Sequence, residues 1–244
     1  MTSLLGHVRE LTRFPVKSMA GTAVDSAVLG WHGLEGDRRF AFRRMGEHNG
    51  FPWLTASRLA ELLLYQPLGI DEKNLVPTHV RTPAGRVLEL HSEELTREIT
   101  ERFGSAVELM KLKNGIFDDA AVSVISMATI AGVGREAGVD LDRRRFRANI
   151  VLDTHGAEPF LEDSWIGGTL LFGERGIGPE VSVTSRDLRC VMINLDPDTA
   201  AHDPRVMKAA VRLNANNAGV YGTVVRTGTI AVGQPVTLIT NGRD

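Results

Sequence analysis

The chain has 244 residues, 43% of them hydrophobic and 24% charged, with a net charge of −2. That is ample material for a buried core in one large or two small domains, and the near-neutral balance supplies no basic field for nucleic acid or an anionic membrane surface. The single cysteine, Cys190, excludes an internal disulfide, an all-cysteine zinc site and an iron–sulfur cluster held by this chain alone. No apolar run reaches the length of about 18 residues that marks a membrane-spanning helix, and "MTSLLGHVRELTRF" is too short and too charged for a signal peptide. A soluble protein of the reducing cytoplasm is the expectation.

In chain order, residues 7–16, 23–29, 38–44, 76–82, 86–90 and 106–112 have strand length, and several alternate apolar with polar positions. A helix over 93–103 interrupts them: Ser92 suits its cap, Glu93 and Glu94 its positive end, and Leu95, Ile99 and Phe103 share one face before Gly104 stops it. The second half predicts strands at 120–126, 146–152, 169–173, 180–185, 190–195, 220–226 and 235–240. Helices are predicted from about 127 to 137, between Ser126 and Gly138, and over 204–213, with Asp203 at the cap and Pro204 at the first helical position. Many short strands, few helices and no βαβ alternation give a mainly β fold with some α, an α+β protein with a barrel-like part. The glycine and acids of "KNGIFDDA" (113–120) divide it into a β-rich module at 1–115 and a barrel-like domain at 116–244.

Four segments place cations beside small polar residues at strand ends: "FPVKSMAG" (14–21), "GLEGDRRF" (33–40), "RRRFRANIVLD" (143–153) and "RDLRC" (186–190). Such groupings suit a phosphate or another compact anion, and equally suit solvated strand edges whose charge deters aggregation. Cys190 carries two readings as well. As the head of "CVMINL" it would be a small hydrophobe in a core strand, whereas Arg189 beside it favours a thiolate that serves as nucleophile or soft metal ligand. The seven histidines are scattered without metal-ligand spacing. Asp118 and Asp119 read as a solvated turn, Glu162 and Asp163 as capping or loop acceptors, and Trp165 as a core anchor.

As an ordered set these segments resemble the MOSC family, the domain found at the C-terminus of molybdenum cofactor sulfurases. The branch of the mitochondrial amidoxime-reducing components and their bacterial relatives is the most similar. "FPVKS" and "GLEGDRRF" resemble the family's N-terminal β-rich module; "RFRANIVLD", "PFLEDSW", "LRCVMINLDPDT" and "GTIAVGQPV" resemble the MOSC domain itself. The resemblance spans nearly the whole chain. It implies that Cys190 ligates molybdenum, and that Lys17, Ser18, Arg38, Arg147, Asn149 and Arg189, with Ser126 a weaker match, hold the pterin and its phosphate. Asp196 and Asp198 lie close enough in sequence to Cys190 to relay protons or orient water, or else simply to build the turn.

Three positions depart from the family pattern: Leu188 where a small polar residue is usual, Ala148 where proline is, and Ala218 where an aromatic is common. The chain also lacks the length and lysine site of the pyridoxal-phosphate domain fused to some relatives, so neither that cofactor, nor flavin, nor an iron–sulfur cluster is expected on it. The resemblance implies a molybdenum cofactor (molybdopterin) reductase that takes oxygen from small N-hydroxylated compounds and draws electrons from a separate protein, without nucleic acid or membrane. Two rivals stand beside it: a non-catalytic carrier of cofactor or of sulfur on Cys190, and a β scaffold with a buried cysteine and no cofactor.

Overall fold

The computed structural model describes residues 1–47, 50–70, 75–156 and 158–240. Its first half runs β1 (Thr2–Arg13), β2 (Thr22–Val24), β3 (Ser26–Gly30), β4 (Gly33–Leu34), β5 (Phe40–Arg44), β6 (Gln66–Ile70), β7 (Pro77–Arg81), β8 (Val87–Glu89), α1 (Glu93–Phe103) and β9 (Val107–Lys111). The second half runs β10 (Val122–Ser126), α2 (Met127–Ala137), β11 (Ile150–Thr154), β12 (Thr169–Phe172), β13 (Glu180–Leu188), α3 (Pro204–Asn214), β14 (Asn217–Arg226), β15 (Gly228–Ala231) and β16 (Pro235–Ile239). The mainly β, α+β architecture expected from the sequence is the one observed. Among the described residues no helix is long and apolar enough to cross a membrane.

Seven strands close a barrel in the order β1-β11-β10-β14-β13-β12-β16, with β16 returning to β1. Closure depends on β1 pairing with two partners: Leu11 stands opposite Ile150 on one side, and Leu4 opposite Thr237 on the other. Alternate residues of these strands fill the interior, where Leu11, Ile150, Leu170, Phe172 and Val181 are fully buried beside Trp165, the expected anchor. Because β1 and β3 pack on this core, residues grouped by sequence with the 1–115 module are built into the barrel. The remainder of that module forms a second core, in which Phe40, Phe42, Tyr65, Leu95 and Ile99 pack beneath α1, and Leu195 from the second half completes it. A third core joins α2 and α3 to Phe146 and Ile193.

The helices follow their local signals. Ser92 Oγ accepts from Leu95 N–H at 3.2 Å, Ser126 Oγ from Thr129 N–H at 3.0 Å, and an Asp203 oxygen from Arg205 N–H at 3.1 Å. Gly104 and Gly138 end α1 and α2 in the left-handed conformation, at φ 79° and 68°.

Strand boundaries differ where the backbone leaves the extended region. The strand expected from 38 starts at Phe40 because Arg38 has φ 42°, and that expected from 146 starts at Ile150 because Phe146 ends a 3-10 turn and Arg147 has φ 52°. Residues 190–195 form no strand. The pairing of β13 ends at Leu188, and Val191–Asn194 coil into a 3-10 helix with Ile193 and Asn194 turned inward. β6 escaped the sequence reading because Pro67 and Gly69 punctuate it; β15 was also missed.

Candidate functional site

The segments that carry the candidate side chains meet at a cleft of about 300 Å³ between the barrel rim and the second core. Lys17 and Ser18 follow β1, where Lys17 N–H donates to Phe40 O at 2.8 Å. Arg38 precedes β5, Asp118 follows β9, Arg147 follows the 3-10 turn over Arg143–Phe146, and Arg189 and Cys190 follow β13. Three of these residues, Ser18 (φ 65°), Arg38 and Arg147, hold left-handed backbone that an L side chain adopts at a cost. Their convergence on one cleft shows that the surrounding fold fixes them there. The register of β13 against β14 shifts between Arg186 and Leu188, and the two residues after Arg186 turn opposite ways: Asp187 is buried in the cleft wall while Leu188 is 66% exposed at its edge.

Arg38 is the most tightly held cation. Its Nη1 donates to Asp37 Oδ2 at 2.5 Å and Asn149 Oδ1 at 3.2 Å, its Nη2 to Arg147 O at 2.9 Å, and its Nε lies 2.5 Å from Asp118 Oδ2. Burial opposes its charge, but the two carboxylates outweigh burial and raise its pKa. Lys17 Nζ donates to Phe117 O at 2.7 Å and stands 3.7 Å from Asp118; burial, aided by Arg38 and Arg147, lowers its pKa against that carboxylate. Arg147 stacks its guanidinium 4.3 Å from the centre of the Phe14 ring and donates from Nη1 to Met19 O at 2.7 Å. Burial and the neighbouring Arg38 pull its pKa down to about 9, and its buried Nη2 has no hydrogen-bond partner.

Arg189 donates from Nε to Ala218 O and from Nη1 to Phe146 O, each at 2.6 Å, and its Nη2 lies 2.8 Å from Asp187 Oδ2 without hydrogen-bond alignment. Burial pushes the Asp187 carboxyl up to about 6, against the pull of Arg189. Ala218, fully buried, therefore serves the site through its carbonyl rather than as a pocket wall. Cys190 is exposed at the lip of the cleft and caps the 3-10 helix through its backbone, so the core-strand reading of the sulfur does not hold.

Of the site residues that the resemblance implied, six thus line one cleft: Lys17, Ser18, Arg38, Arg147, Arg189 and Cys190. Asn149 sits behind it, where its amide receives Arg38 and donates to Thr12 O at 3.3 Å. Ser126 lies outside the lining. Its hydroxyl caps α2 and donates to Glu162 Oε2 at 3.0 Å, while Glu162, fully buried, also accepts from Ser126 N–H in the loop-acceptor role expected of it. Asp196 and Asp198 also lie outside. Asp196 Oδ1 accepts from the backbone of Asp198 and Thr199 while Oδ2 meets Arg145; Asp198 pairs with Arg144. Asp118 corrects the sequence reading: instead of a solvated turn it is the carboxylate between Lys17 and Arg38, and those cations hold its pKa down against burial. Asp187 and Tyr221 also line the cleft and were not singled out. The only local sign of Asp187 was an acid inside the "RDLRC" segment.

The donor set fits an anionic, sulfur-rich metal cofactor: a thiol at the lip, an unpartnered guanidinium nitrogen on Arg147, and four cations gathered around it with Asp37, Asp118 and Asp187 as their carboxylate partners. A family model described as the MOSC domain matches residues 94–237. A curated molybdenum cofactor sulfurase of Drosophila mojavensis is 24% identical over 258 aligned positions, covering 87% of this chain and 31% of that protein. The chain therefore spans about a third of that relative. Among solved structures, the YUAD protein from Bacillus subtilis superposes with a TM-score of 0.53 at 15% identity, covering 99% of this chain and 98% of that one, which is a likeness of fold. YiiM from Escherichia coli gives a TM-score of 0.38 at 18% identity over 54% of this chain and 60% of that one.

Proposed function

This chain belongs to the MOSC domain family, and from that premise we propose that the cleft around Cys190 binds a molybdenum–pterin cofactor and that the protein reduces N-hydroxylated compounds by oxygen-atom transfer. The observation that carries the reading is the placement of the only cysteine, exposed at the lip of a cleft walled by Lys17, Arg38, Arg147 and Arg189. Such a cofactor, when bound, supplies two soft dithiolene sulfurs and a redox metal able to accept oxygen from an N–O group.

The chain's own residues supply the rest. Cys190 adds one thiolate from a short, capped turn, so its backbone position is set before any metal arrives. Arg147 Nη2 offers a buried, unused donor for a phosphate oxygen, while Lys17 and Arg189 add charge at fixed positions. Arg38 is saturated by Asp37, Asn149, Asp118 and the Arg147 carbonyl, so it contributes field and also anchors the Arg147 backbone. Asp187 is the carboxyl in the cleft wall whose pKa burial raises to about 6, closer to neutral pH than that of a free carboxyl, which suits it to pass a proton as the N–O bond is cleaved and water leaves. Asp196 holds the following turn together through the backbone of Asp198 and Thr199, and Asp198 ties it to Arg144.

The electron donor lies outside these 244 residues in this reading, a second protein being proposed, because within them one cysteine holds no iron–sulfur cluster and no flavin fingerprint occurs. A reducing compartment, the cytoplasm, keeps the exposed thiol free. The exposure of Cys190 also favours a second reading, a carrier that passes cofactor or persulfide sulfur to another protein. One experiment separates them: the protein is produced with a molybdenum cofactor supply, and its molybdenum, pterin and benzamidoxime reduction are measured with reduced methyl viologen and with NADH alone. The reductase reading expects molybdenum, viologen-driven turnover and none with NADH. Loaded but inert protein leaves the cofactor carrier, and protein without molybdenum or pterin refutes both the reductase and the cofactor carrier, leaving only a carrier of persulfide sulfur on Cys190.

A further inference from the structure

Asp187 is nearly sealed from water, at 1% exposed, and a carboxyl so placed needs a partner to exchange protons with solvent. The groups facing it come from four parts of the fold: Arg189 beyond β13, Asp118 after β9, Tyr221 on β14 and Arg38 before β5. A guanidinium keeps its protons at any ordinary pH, so Arg189 and Arg38 favour the carboxylate without carrying a proton to it. The Asp118 carboxyl is engaged by Arg38 and Lys17, which hold it ionised against burial. Of these four, Tyr221 alone has a hydroxyl, which can give one proton and take another through the same oxygen.

Strand pairing brings that side chain to Asp187. Tyr221 stands opposite Ser185 of β13 and Ser123 of β10, so it projects from β14 with a paired strand on either side. Thr184 Oγ1 also donates to the Tyr221 carbonyl at 3.2 Å. Asp187 lies two residues beyond Ser185, which makes it the diagonal neighbour of Tyr221 across the two strands, within reach of an aromatic side chain. Both side chains line the Cys190 cleft, and the phenol reaches the Asp187 carboxyl as a side-chain hydrogen-bond donor. Tyr221 is only partly buried, so it offers the sealed carboxyl a contact to the open cleft. Burial and the carboxylates of Asp187 and Asp118 raise its own pKa, so the phenol stays protonated and serves as a conduit, not as a base.

We propose that Tyr221 is the proton relay of Asp187, a positioning residue that holds the carboxyl and returns a proton to it after each release. The relay rests on the reductase reading above, in which Asp187 passes a proton to the oxygen leaving the N–O group. That step breaks the Asp187 O–H bond and leaves a carboxylate. The carboxylate then takes the phenol proton while the phenol oxygen takes one from hydronium at the cleft mouth, which becomes water. Tyr221 ends neutral, Asp187 ends protonated, and one solvent proton is consumed. No electrons pass through either side chain; they come from the external donor of that reading.

Tyr221→Phe keeps the ring and removes the hydroxyl, and it is tested in the full chain in two states. In the cofactor-free protein, carbon-13 NMR follows the Asp187 carboxyl, assigned by its loss in Asp187→Asn. Removing a donor to the ionised form should raise that pKa from about 6 to about 7. In the cofactor-loaded protein, kcat for benzamidoxime with reduced methyl viologen is measured near pH 5, where the carboxyl is protonated in both proteins. It should fall about tenfold, with KM and molybdenum content unchanged. Turnover declines as pH climbs through the carboxyl pKa, and in the variant that decline should begin at higher pH, a change that lost packing alone would not produce. In an Asp187→Asn background the same substitution should cost less than about twofold, because the relay acts only through Asp187. An unchanged Asp187 titration, an unshifted pH profile, or an equal loss without Asp187 overturns the relay. A wild-type protein that holds no molybdenum, or is loaded and inert, overturns the reductase reading and the relay with it, while the NMR titration still decides whether the two side chains are bonded.

Discussion

Replacing Asp187 with asparagine tests the electrostatics of the cleft directly. The carboxyl is 1% exposed, and burial raises its pKa from 3.8 to about 6 even with Arg189 Nη2 at 2.8 Å. A raised carboxyl pKa means that the folded protein holds this proton more tightly than the unfolded chain does. The stabilisation is complete below the unfolded value, is lost as pH climbs from about 4 to about 6, and stays lost above that. Two pKa units correspond to about 3 kcal/mol, the cost of keeping Asp187 ionised at pH 7.5. Asparagine has nearly the same shape and never ionises, so Asp187→Asn should be the more stable protein at pH 7.5, by up to that amount, with the advantage fading by pH 4. For a chain of this size the gain equals roughly 6–12 °C in melting temperature. The assay is thermal and urea unfolding of both proteins between pH 4 and pH 8. If the wild-type protein equals or exceeds the variant at pH 7.5, or if the difference between them does not change with pH, Arg189 fully compensates the carboxylate and the proton-holding role assigned to Asp187 is wrong.

Cys190→Ser should leave stability within about 0.5 kcal/mol, because the side chain is exposed and caps its helix through the backbone; molybdenum content of the same preparations should fall to background, and a variant with wild-type metal would refute ligation. Ser126→Ala removes the α2 cap and one donor to the buried Glu162, a cost of about 1–3 kcal/mol by denaturant titration. Molybdenum per folded chain should not change, since Ser126 lies outside the cleft lining. Gly219→Ala should destabilise by about 1–3 kcal/mol, because φ is 87° and the added carbon would lie 2.6 Å from Val124 O and 3.1 Å from Arg189 Nη2. Its pterin retention should drop more than that of a distant variant of equal stability, and equal retention would remove Arg189 from the set of cofactor-holding residues.

The three helices were fully legible in the sequence because their signals are local: a capping oxygen, a 3.6-residue apolar period and a stop all act within a few residues, and Ser92, Ser126 and Asp203 behave as their neighbours dictate. The abundance of short strands fixed the β-rich class for the same reason. Barrel closure was not legible. Whether Leu11 meets Ile150 is decided by the burial of the whole interior, and no property of residues 2–13 names that partner. The cations of the cleft could be recognised as a set through resemblance, but their carboxylate counterparts could not. Asp118 reads as a solvated turn beside Asp119 until the fold brings Lys17 and Arg38 to it, and Asp187 becomes a proton-holding group only because the end of β13 buries it. The sulfur shows the same limit. "CVMINL" has the composition of a core strand, yet β13 has finished its pairing by Leu188, so the segment coils, Ile193 and Asn194 turn inward, and Cys190 is left at the surface of the cleft. Local sequence sets what a segment can form; competition among segments for strand partners and buried volume decides which side chain ends up facing the ligand.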